Sequence, residues 1–543
     1  MITLEFERKT KELIDSLKGI CASNGLGNDG NEFKIITQVF LYKFLHDKFA
    51  YELKRLDKRV GSADNWERAV KALPEGDLEM AMLQLPANTA RLKSEHLISS
   101  LFERQNDKDF AKLFDDTLRD IAIENNDIFA VRTASGSKII LFDRVSEFIT
   151  DTSKRDAFCR AIINKLVEFS FEYIFTEKFD FYATIFEYLI SDYNKDSGGK
   201  YAEYYTPHAV AKIMAAILVP EGERGQIQNA SCYDPSAGSG TLLMNLAHAI
   251  GEDRCSIYSQ DISQKSSSLL RLNLILNGLV HSIQNVIQGN TILSPYFKDG
   301  KNLQLFDYIV SNPPFKMDFS DFRDDLDSKE NQSRFFAGVP KIPAKKKESM
   351  AIYQLFLQHI IHSLKDDGKA AVVVPTGFVT AKGIDKKIRE KLISEKMLAG
   401  VVSMPSNIFA TTGTNVSILF IDRSNKGDVV LIDASNLGET IKEGKNQKTV
   451  LSEEEENLII STFIAKNEVD DLSAIVSYED VANKNHSFSA GQYFEVKIEY
   501  VDISHDEFTD KLTARKAILD KLFEDSKTLS KSISDGLSKL NYE

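Results

Sequence analysis

The residues with the most chemical promise form a tetrapeptide, Asn312-Pro313-Pro314-Phe315, directly after the apolar run Phe306–Ser311. Two consecutive prolines can neither extend a strand nor donate backbone hydrogen bonds, so the chain must break off rigidly there. Rigid chain at the carboxyl end of a parallel strand is where α/β enzymes build sites. The Asn312 side-chain oxygen and a carbonyl of the Pro-Pro unit are two acceptors held at a fixed spacing. An exocyclic ring amine is a poor nucleophile, because its lone pair is delocalised into the ring. Two acceptors on its hydrogens would hold the nitrogen nearer tetrahedral geometry, its lone pair facing a methyl donor. Phe315 adds a flat apolar surface on which an extruded base can stack.

A second element, Asp234-Pro235-Ser236-Ala237-Gly238-Ser239-Gly240-Thr241, follows an expected strand and opens an expected helix. Glycines there let the backbone approach a ligand, and the helix start offers free N–H groups. Such a turn suits the carboxylate of an amino-acid-like cofactor, and equally a phosphate. No Lys-Ser/Thr pair follows the glycines, which disfavours a P-loop. Asp261 closes the run Ile257–Asp261, about 20 residues past Gly240, where nucleotide-binding α/β folds place an acid on ribose hydroxyls. With Ser263 and Gln264 directly after it, Asp261 also reads as a helix N-cap. Turn and acid together point to an adenosine-containing ligand, NAD included, but a dehydrogenase has no use for Asn312–Phe315.

A third segment, Glu203-Tyr204-Tyr205-Thr206-Pro207-His208, stands before another helix. Thr206 is the expected N-cap and Pro207 the first helical residue, which leaves the two tyrosines unexplained. His208 reads as a helix-start residue. No grouping of His, Cys, Asp and Glu has ligand spacing, so no catalytic metal is expected.

The elements that must position these residues are legible in the texture of the chain. Residues 1–165 read as a helical domain, with a loop at Gly25–Gly30, a short strand at Lys138–Phe142 and a core helix over Phe158–Phe175. Over residues 166–425, β-branched runs alternate with helical stretches, the mark of βαβ units and a doubly wound, Rossmann-like sheet. Strands are expected at Ser231–Asp234, Ser256–Gln260, Val286–Gln288, Phe306–Ser311, Lys369–Val374, Leu398–Met404 and Val416–Asp422. Helices are expected at Ala209–Leu218, Thr241–Ile250, Gln264–Asn277 and Ile352–Leu364. Thr411–Asn415 reads as a loop near the base pocket, and Lys345-Lys346-Lys347 as a solvated loop able to touch phosphates. Residues 426–543 are polar and acidic and end in an amphipathic helix, Phe508–Leu540, whose leucine stripe suits either the core or a partner.

Composition limits the function classes. The chain has 543 residues, 43% hydrophobic and 27% charged, which fits a globular protein of several domains. Met1–Arg8 has no apolar stretch behind a basic start, and no apolar run nears the roughly 20 residues of a membrane span. Four dispersed cysteines form neither a disulfide framework nor a CxxC spacing, so a cytoplasmic protein is expected. The net charge of −13 counts against a protein that grips DNA alone, unless basic residues gather on one face or a partner carries the contact.

The segments EYYTPH, DPSAGSGTLL, Asp261, NPPF and GKAAVVVPTGFV (Gly368–Val379) occur in this order. They resemble the N6-adenine DNA methyltransferases, most closely the modification subunit of type I restriction–modification systems. The resemblance spans about residues 1–425. It implies S-adenosylmethionine as methyl donor, held by Tyr204, Tyr205, Thr206, Pro207, Gly238, Ser239, Gly240 and Thr241. Glu203, His208 and Asp234 complete that set, and Asp261 would take the ribose hydroxyls. Asn312–Phe315 would hold a flipped adenine of duplex DNA. The implied partners are a specificity subunit, an ATP-dependent restriction subunit and a second copy of the chain. Two departures stand out. Asn290 sits where the family often has an acid at the cofactor's adenine, with an amide oxygen still able to accept from that amine. Ser239-Gly240-Thr241 replaces the more usual Thr-Gly-Gly.

Rival chemistries separate on single residues. Methylation at cytosine C5 needs a nucleophilic cysteine after a proline, and none of the four follows one. The same clamp serves a protein glutamine amide or an RNA base, so Asn312–Phe315 alone does not exclude those substrates. A scaffold that kept only the fold would be expected to show an eroded clamp, and this one is intact.

Overall fold

The computed structural model describes residues 2–27, 30–74, 76–175, 206–409, 414–443, 446–494 and 503–538. Met1–Phe494 is one compact unit and Glu495–Glu543 another.

An 11-stranded sheet runs through the first unit. Its strands are β1 (Val131–Thr133), β2 (Lys138–Ile139), β3 (Ala230–Asp234), β4 (Cys255–Asp261) and β5 (Val286–Gln288). The small hairpin β6–β7 (Lys298–Asp299, Asn302–Leu303) stands apart. Next come β8 (Phe306–Ser311), β9 (Leu364–Pro375), β10 (Leu398–Ser403), β11 (Val416–Asp422) and β12 (Val429–Asp433). A second hairpin, β13–β14 (Glu439–Glu443, Asn446–Val450), precedes β15 (Ser473–Val476).

The spatial order is β15-β12-β10-β11-β9-β8-β3-β4-β5-β1-β2. The stretch from β9 to β1 is parallel throughout, while β11, β15 and β2 run against their neighbours. Parallel strands buried on both faces read as unbroken apolar runs. Ala370–Val374 in β9 is such a run, every residue fully buried. From β3 the chain builds outward through β4 and β5, then returns to lay β8 on the other side of β3. The order therefore reverses between β3 and β8, and their carboxyl ends diverge around a crevice.

The expected strands of the catalytic region all form, β5, β8 and β11 with the expected bounds. The helices His208–Leu218, Thr241–Ile250, Gln264–Leu276 and Tyr353–His362 also match to within a few residues. Three differences have physical causes. The helix expected over Phe158–Phe175 stops at Val167, because the Phe171 N–H donates to the buried Asp47 carboxylate (2.7 Å). Phe171 then packs edge-on against Phe40 and Phe44. The region after Arg423 is not merely polar: β12 and β15 extend the sheet, and Glu453–Ala465 is a helix with a Ser452–Glu455 capping box. The short strand begun at Lys138 ends at Ile139, and its hairpin with β1 joins the sheet edge beside β5.

The largely helical first 175 residues are thus tied to the sheet, and a buried arginine reinforces the tie. Arg271, on the helix Gln264–Leu276, donates from Nη1 to the carbonyls of Ile139 and Ile140, each at 3.0 Å. Burial pulls its pKa down to about 10, against the opposing charge of Asp143. No described helix is long and apolar enough to cross a membrane. In the second unit, the helix His505–Leu537 exposes Phe508, Leu512, Leu519, Leu522, Leu529, Ile533 and Leu537.

Arg271→Met removes the donor from the half-buried Ile139 and exposed Ile140 carbonyls and should cost about 1–2 kcal/mol of stability by urea unfolding. Amide exchange across β1 and β2 should quicken before the sheet centre is affected.

Candidate active site

The crevice between β3 and β8 opens into a cavity of about 570 Å³, within the range of small-molecule sites. Gly238, Asp261, Asn290 and all of Asn312–Phe315 line it. The glycine turn and the tetrapeptide, 70-odd residues apart in sequence, therefore face one space because β3 and β8 are parallel neighbours.

The two loop bases are locked together. Ser311, the last residue of β8, donates from Oγ to Asp234 Oδ1 (3.0 Å), and its hydroxyl meets that of Ser236 at 2.7 Å. Asp234 Oδ1 also accepts from the Ser236 N–H (2.9 Å). Burial pushes the Asp234 carboxyl up to about 7, helped by the nearby charge of Asp261. Past the turn, Gly238 and Gly240 take positive φ of 54° and 88°, the region that favours glycine. A Cβ on Gly240 would lie 2.3 Å from Leu270 Cδ1. The helix Thr241–Ile250 starts there with no side-chain cap on its first N–H groups.

Asp261 is not the N-cap of the next helix. That role falls to Ser263, whose Oγ accepts from the Ser266 N–H (3.2 Å). The Asp261 carboxylate instead accepts from the N–H groups of Gly238 (2.9 Å) and Ser263 (2.8 Å). It pins the glycine turn to β4 while each oxygen keeps a lone pair for a hydroxyl. Burial raises its pKa. Asn290 behaves differently from the sequence expectation. Its Oδ1 accepts from the N–H groups of Ile292 (3.0 Å) and Leu293 (3.1 Å), so the amide end left toward the cavity is the NH₂ donor.

In the tetrapeptide Pro313 is buried, while Asn312, Pro314 and Phe315 are half-buried. The Phe315 ring stands edge-on to Tyr353, 6.3 Å between centroids and 77° between planes. Tyr353 is held in turn, its OH donating to both Asp385 oxygens at 2.9 Å. Sequence reasoning missed Tyr353; an aromatic at the start of a helix otherwise read as core carried no distinguishing signal. Asn312 Nδ2 donates to Thr206 Oγ1 (3.2 Å). Thr206 is not the N-cap of the helix His208–Leu218: Pro207 holds that place and no side chain caps it.

Of the remaining expected residues, Asp234, Thr206, Pro207, His208, Ser239, Gly240 and Thr241 stand outside the cavity lining. Ser239 and Thr241 are buried behind the turn, where the Ser239 carbonyl accepts from Asn273 Nδ2 (2.7 Å). His208 Nδ1 is buried with no partner among the described residues. Glu203, Tyr204 and Tyr205 lie outside the described residues, as do residues 411–413 of the Thr411–Asn415 loop; Thr414 lines the cavity.

The donor set fits S-adenosylmethionine: an uncapped helix start behind a glycine turn, then a ribose-type carboxylate on the next strand. The glycine turn and the tetrapeptide Asn312–Phe315 thus face each other across one crevice of a mostly parallel sheet. The N-6 DNA methylase family matches residues 177–501, and the chain belongs to that family. Among curated relatives, the methylase subunit of the type I restriction enzyme MpnII of Mycoplasma pneumoniae is 24% identical, covering 96% of both chains. The EcoEI methylase subunit of Escherichia coli is 29% identical over half of this chain and 51% of its own. Among solved structures, the methyltransferase subunit of a type I restriction–modification system from Streptococcus thermophilus aligns over 91% of this chain and all of its own. Its TM-score is 0.71 at 21% identity, which establishes the fold. These relatives do not favour the protein-glutamine, RNA or scaffold alternatives.

Two predictions follow from this geometry. Gly240→Ala forces a side chain into positive φ against Leu270 and should cost about 2 kcal/mol of stability in urea unfolding. The folded state keeps the Asp234 proton where an unfolded carboxyl, with pKa about 3.9, has lost it. Its contribution to stability is therefore full below about pH 4 and lost as pH rises through about 7. Asp234→Asn should flatten that part of the urea-midpoint profile.

Proposed function

We propose that this chain transfers a methyl group from S-adenosylmethionine to N6 of adenine in duplex DNA, as the modification subunit of a type I restriction–modification complex. The observation that carries the reading is the shared cavity, with the glycine turn and Asp261 on one wall and Asn312–Phe315 on the other. Gly238, on the cavity wall, receives the amino-acid end of the cofactor, and Asp261 accepts from the ribose hydroxyls. When bound, the cofactor supplies a methyl group on a sulfonium, electrophilic enough to need no covalent enzyme intermediate.

The chain's task is then orientation. The target base leaves the stack at a cost of a few kcal/mol and lies against Phe315. Asn312 Oδ1 and a proline carbonyl accept the two N6 hydrogens and turn the lone pair toward the methyl group. Holding reactants in attack geometry is the main catalytic lever here. As the N6–CH₃ bond forms the S–CH₃ bond breaks, leaving a neutral thioether, and the methylated amine then gives up one proton to solvent and is neutral again.

Partners follow the same reading. A specificity subunit carries sequence recognition, which fits the acidic charge, and a restriction subunit and a second copy of the chain complete the assembly. The exposed leucine stripe of His505–Leu537 supports that helix as the partner-binding element of a C-terminal region over 426–543, which follows a helical domain over 1–165 and a catalytic domain over 166–425, although β12 and β15 of that region extend the catalytic sheet.

Asn312→Ala should lower tritiated-methyl transfer to adenine-containing duplexes by at least about 100-fold, with cofactor affinity by calorimetry unchanged. Near-normal turnover by this variant contradicts the assigned role.

A further inference from the structure

A base held in the clamp stays covalently tied to its sugar and to two phosphates. Those phosphates lie within a nucleotide's reach of the cavity mouth, and each carries a negative charge. A chain with 80 acidic against 67 basic residues repels them unless cations stand at that mouth. We propose that the turn Lys345-Lys346-Lys347 grips the phosphates flanking the target adenine, on the strand that carries it. The inference rests on the methyltransferase reading of the cavity and assigns the backbone contact which that reading leaves open.

The fold brings this turn back to the clamp. The chain leaves the clamp through Lys316 and Met317 and returns through Ala351, Ile352 and Tyr353, and all five line the cavity. The outgoing and returning strands of this insertion are bonded together, the Met317 N–H donating to the Met350 carbonyl (3.0 Å). The Met350 N–H donates in turn to the Lys347 carbonyl (3.1 Å). The lysine turn is therefore the last structure before the chain re-enters the rim. Lys316, directly after Phe315, is exposed on the same rim.

The turn is anchored at both ends. Val339 before it and Met350 after it are buried in one small apolar core with Phe319, Leu326 and Phe335. Between these anchors residues 344–349 are all exposed. The Lys346 carbonyl accepts from both the hydroxyl (2.7 Å) and the N–H (2.9 Å) of Ser349, which holds the turn shut. Groups fixed in this way lose less freedom on binding than groups on a loose loop.

The charge of the turn is also unspent. Residues 341–349 hold four lysines against one acid, Glu348. Although acids are in excess over the chain, Lys316, Lys341 and Lys345–Lys347 make no ion pair among the described residues. Arg323, in the same insertion, is by contrast paired with Asp327 (2.7 Å). Asp318 feels the charge of Lys347 only at a distance, its carboxylate accepting first from the Ser320 N–H (3.0 Å). Exposed, fixed and unpaired cations at the mouth of a base pocket suit phosphate, whose contact with lysine is a matter of charge and reach.

The test uses the full chain co-expressed with the subunits of its neighbouring reading frames, and a duplex carrying a site that the wild-type complex methylates. Two triple variants are compared with wild type: K345Q/K346Q/K347Q, which removes the charge, and K345R/K346R/K347R, which keeps it. Duplex affinity is read by fluorescence anisotropy across a salt series, with thermal midpoints, cofactor Kd and subunit co-purification as controls. The glutamine variant should bind at least about 10-fold more weakly, and its plot of log affinity against log salt should be shallower by about 2–3. The arginine variant should bind within about three-fold of wild type. Neutral methylphosphonates at the two phosphates flanking the target adenine locate the contact. They should weaken wild type about 10-fold and the glutamine variant less than about two-fold, because a contact already removed cannot be lost again. An unchanged salt slope, an arginine variant as weak as the glutamine one, or methylphosphonate losses that add in full overturn the proposal. Loss of the co-purifying subunits from the glutamine variant also overturns it, since the lysines would then serve a protein partner. If the wild-type complex methylates no adenine, the functional reading fails. The same salt series on a duplex of random sequence then decides the turn's role separately: a shallower slope in the glutamine variant keeps the phosphate grip, and an unchanged one removes it.

Discussion

The structure depends on one adjacency: β3 and β8 run parallel, side by side, and their carboxyl ends part in opposite directions. Everything chemical is hung on those two ends. The Asp234–Ser311–Ser236 cluster keeps them in register, so the turn after β3 and the tetrapeptide after β8 cannot drift apart. The arrangement is costly, since a carboxyl with its pKa raised to about 7 sits where a carboxylate is poorly solvated. The Ser236 N–H and the Ser311 hydroxyl, both donating to Asp234, offset that cost, and the result is a crevice whose two walls stay fixed.

The same economy recurs around the cavity, where buried cations act as donors to backbone rather than as partners of carboxylates. Arg334 donates to the carbonyls of Ile292 (2.7 Å) and Thr291 (2.9 Å) and to His359 Nδ1 (3.1 Å). This stiffens the segment after β5 that presents Asn290. The His359 ring, neutral because burial and Arg334 hold its pKa well below the usual range, meets the Tyr233 OH through Nε2 at 3.1 Å. Arg271 does the equivalent for the β1–β2 hairpin. Buried polar groups of this kind specify one arrangement when every member is satisfied, and a site that works by orientation needs that.

Much of this was legible in the sequence because parallel strands buried on both faces announce themselves. Phe306–Ser311 is a mostly apolar run of this kind, interrupted by Asp307, and its bounds came out as read. The antiparallel β11, Val416–Asp422, was legible from the same kind of composition. The tetrapeptide was legible because two prolines admit few structures. What escaped was whatever depends on contacts distant in sequence. The helix after Arg155 ends early because Asp47, more than 100 residues away, takes the Phe171 N–H. The run Val429–Asp433 is as apolar as other strands, but its acidic surroundings hid it. Thr206 read as a cap by residue type, and only the fold puts its hydroxyl against Asn312. Asn290 showed an amide but not which end of it would be spent on backbone.

The central claim is that one cavity holds methyl donor and acceptor on opposite walls, and a ligand-bound structure tests it most directly. In crystals with sinefungin, whose amine-bearing carbon replaces the methyl-bearing sulfur, the account places the ribose on Asp261 and the amino-acid end at the Gly238 turn. The sinefungin amine then faces Asn312 Oδ1. A ligand bound elsewhere, or one whose amine points away from Asn312, would contradict the account.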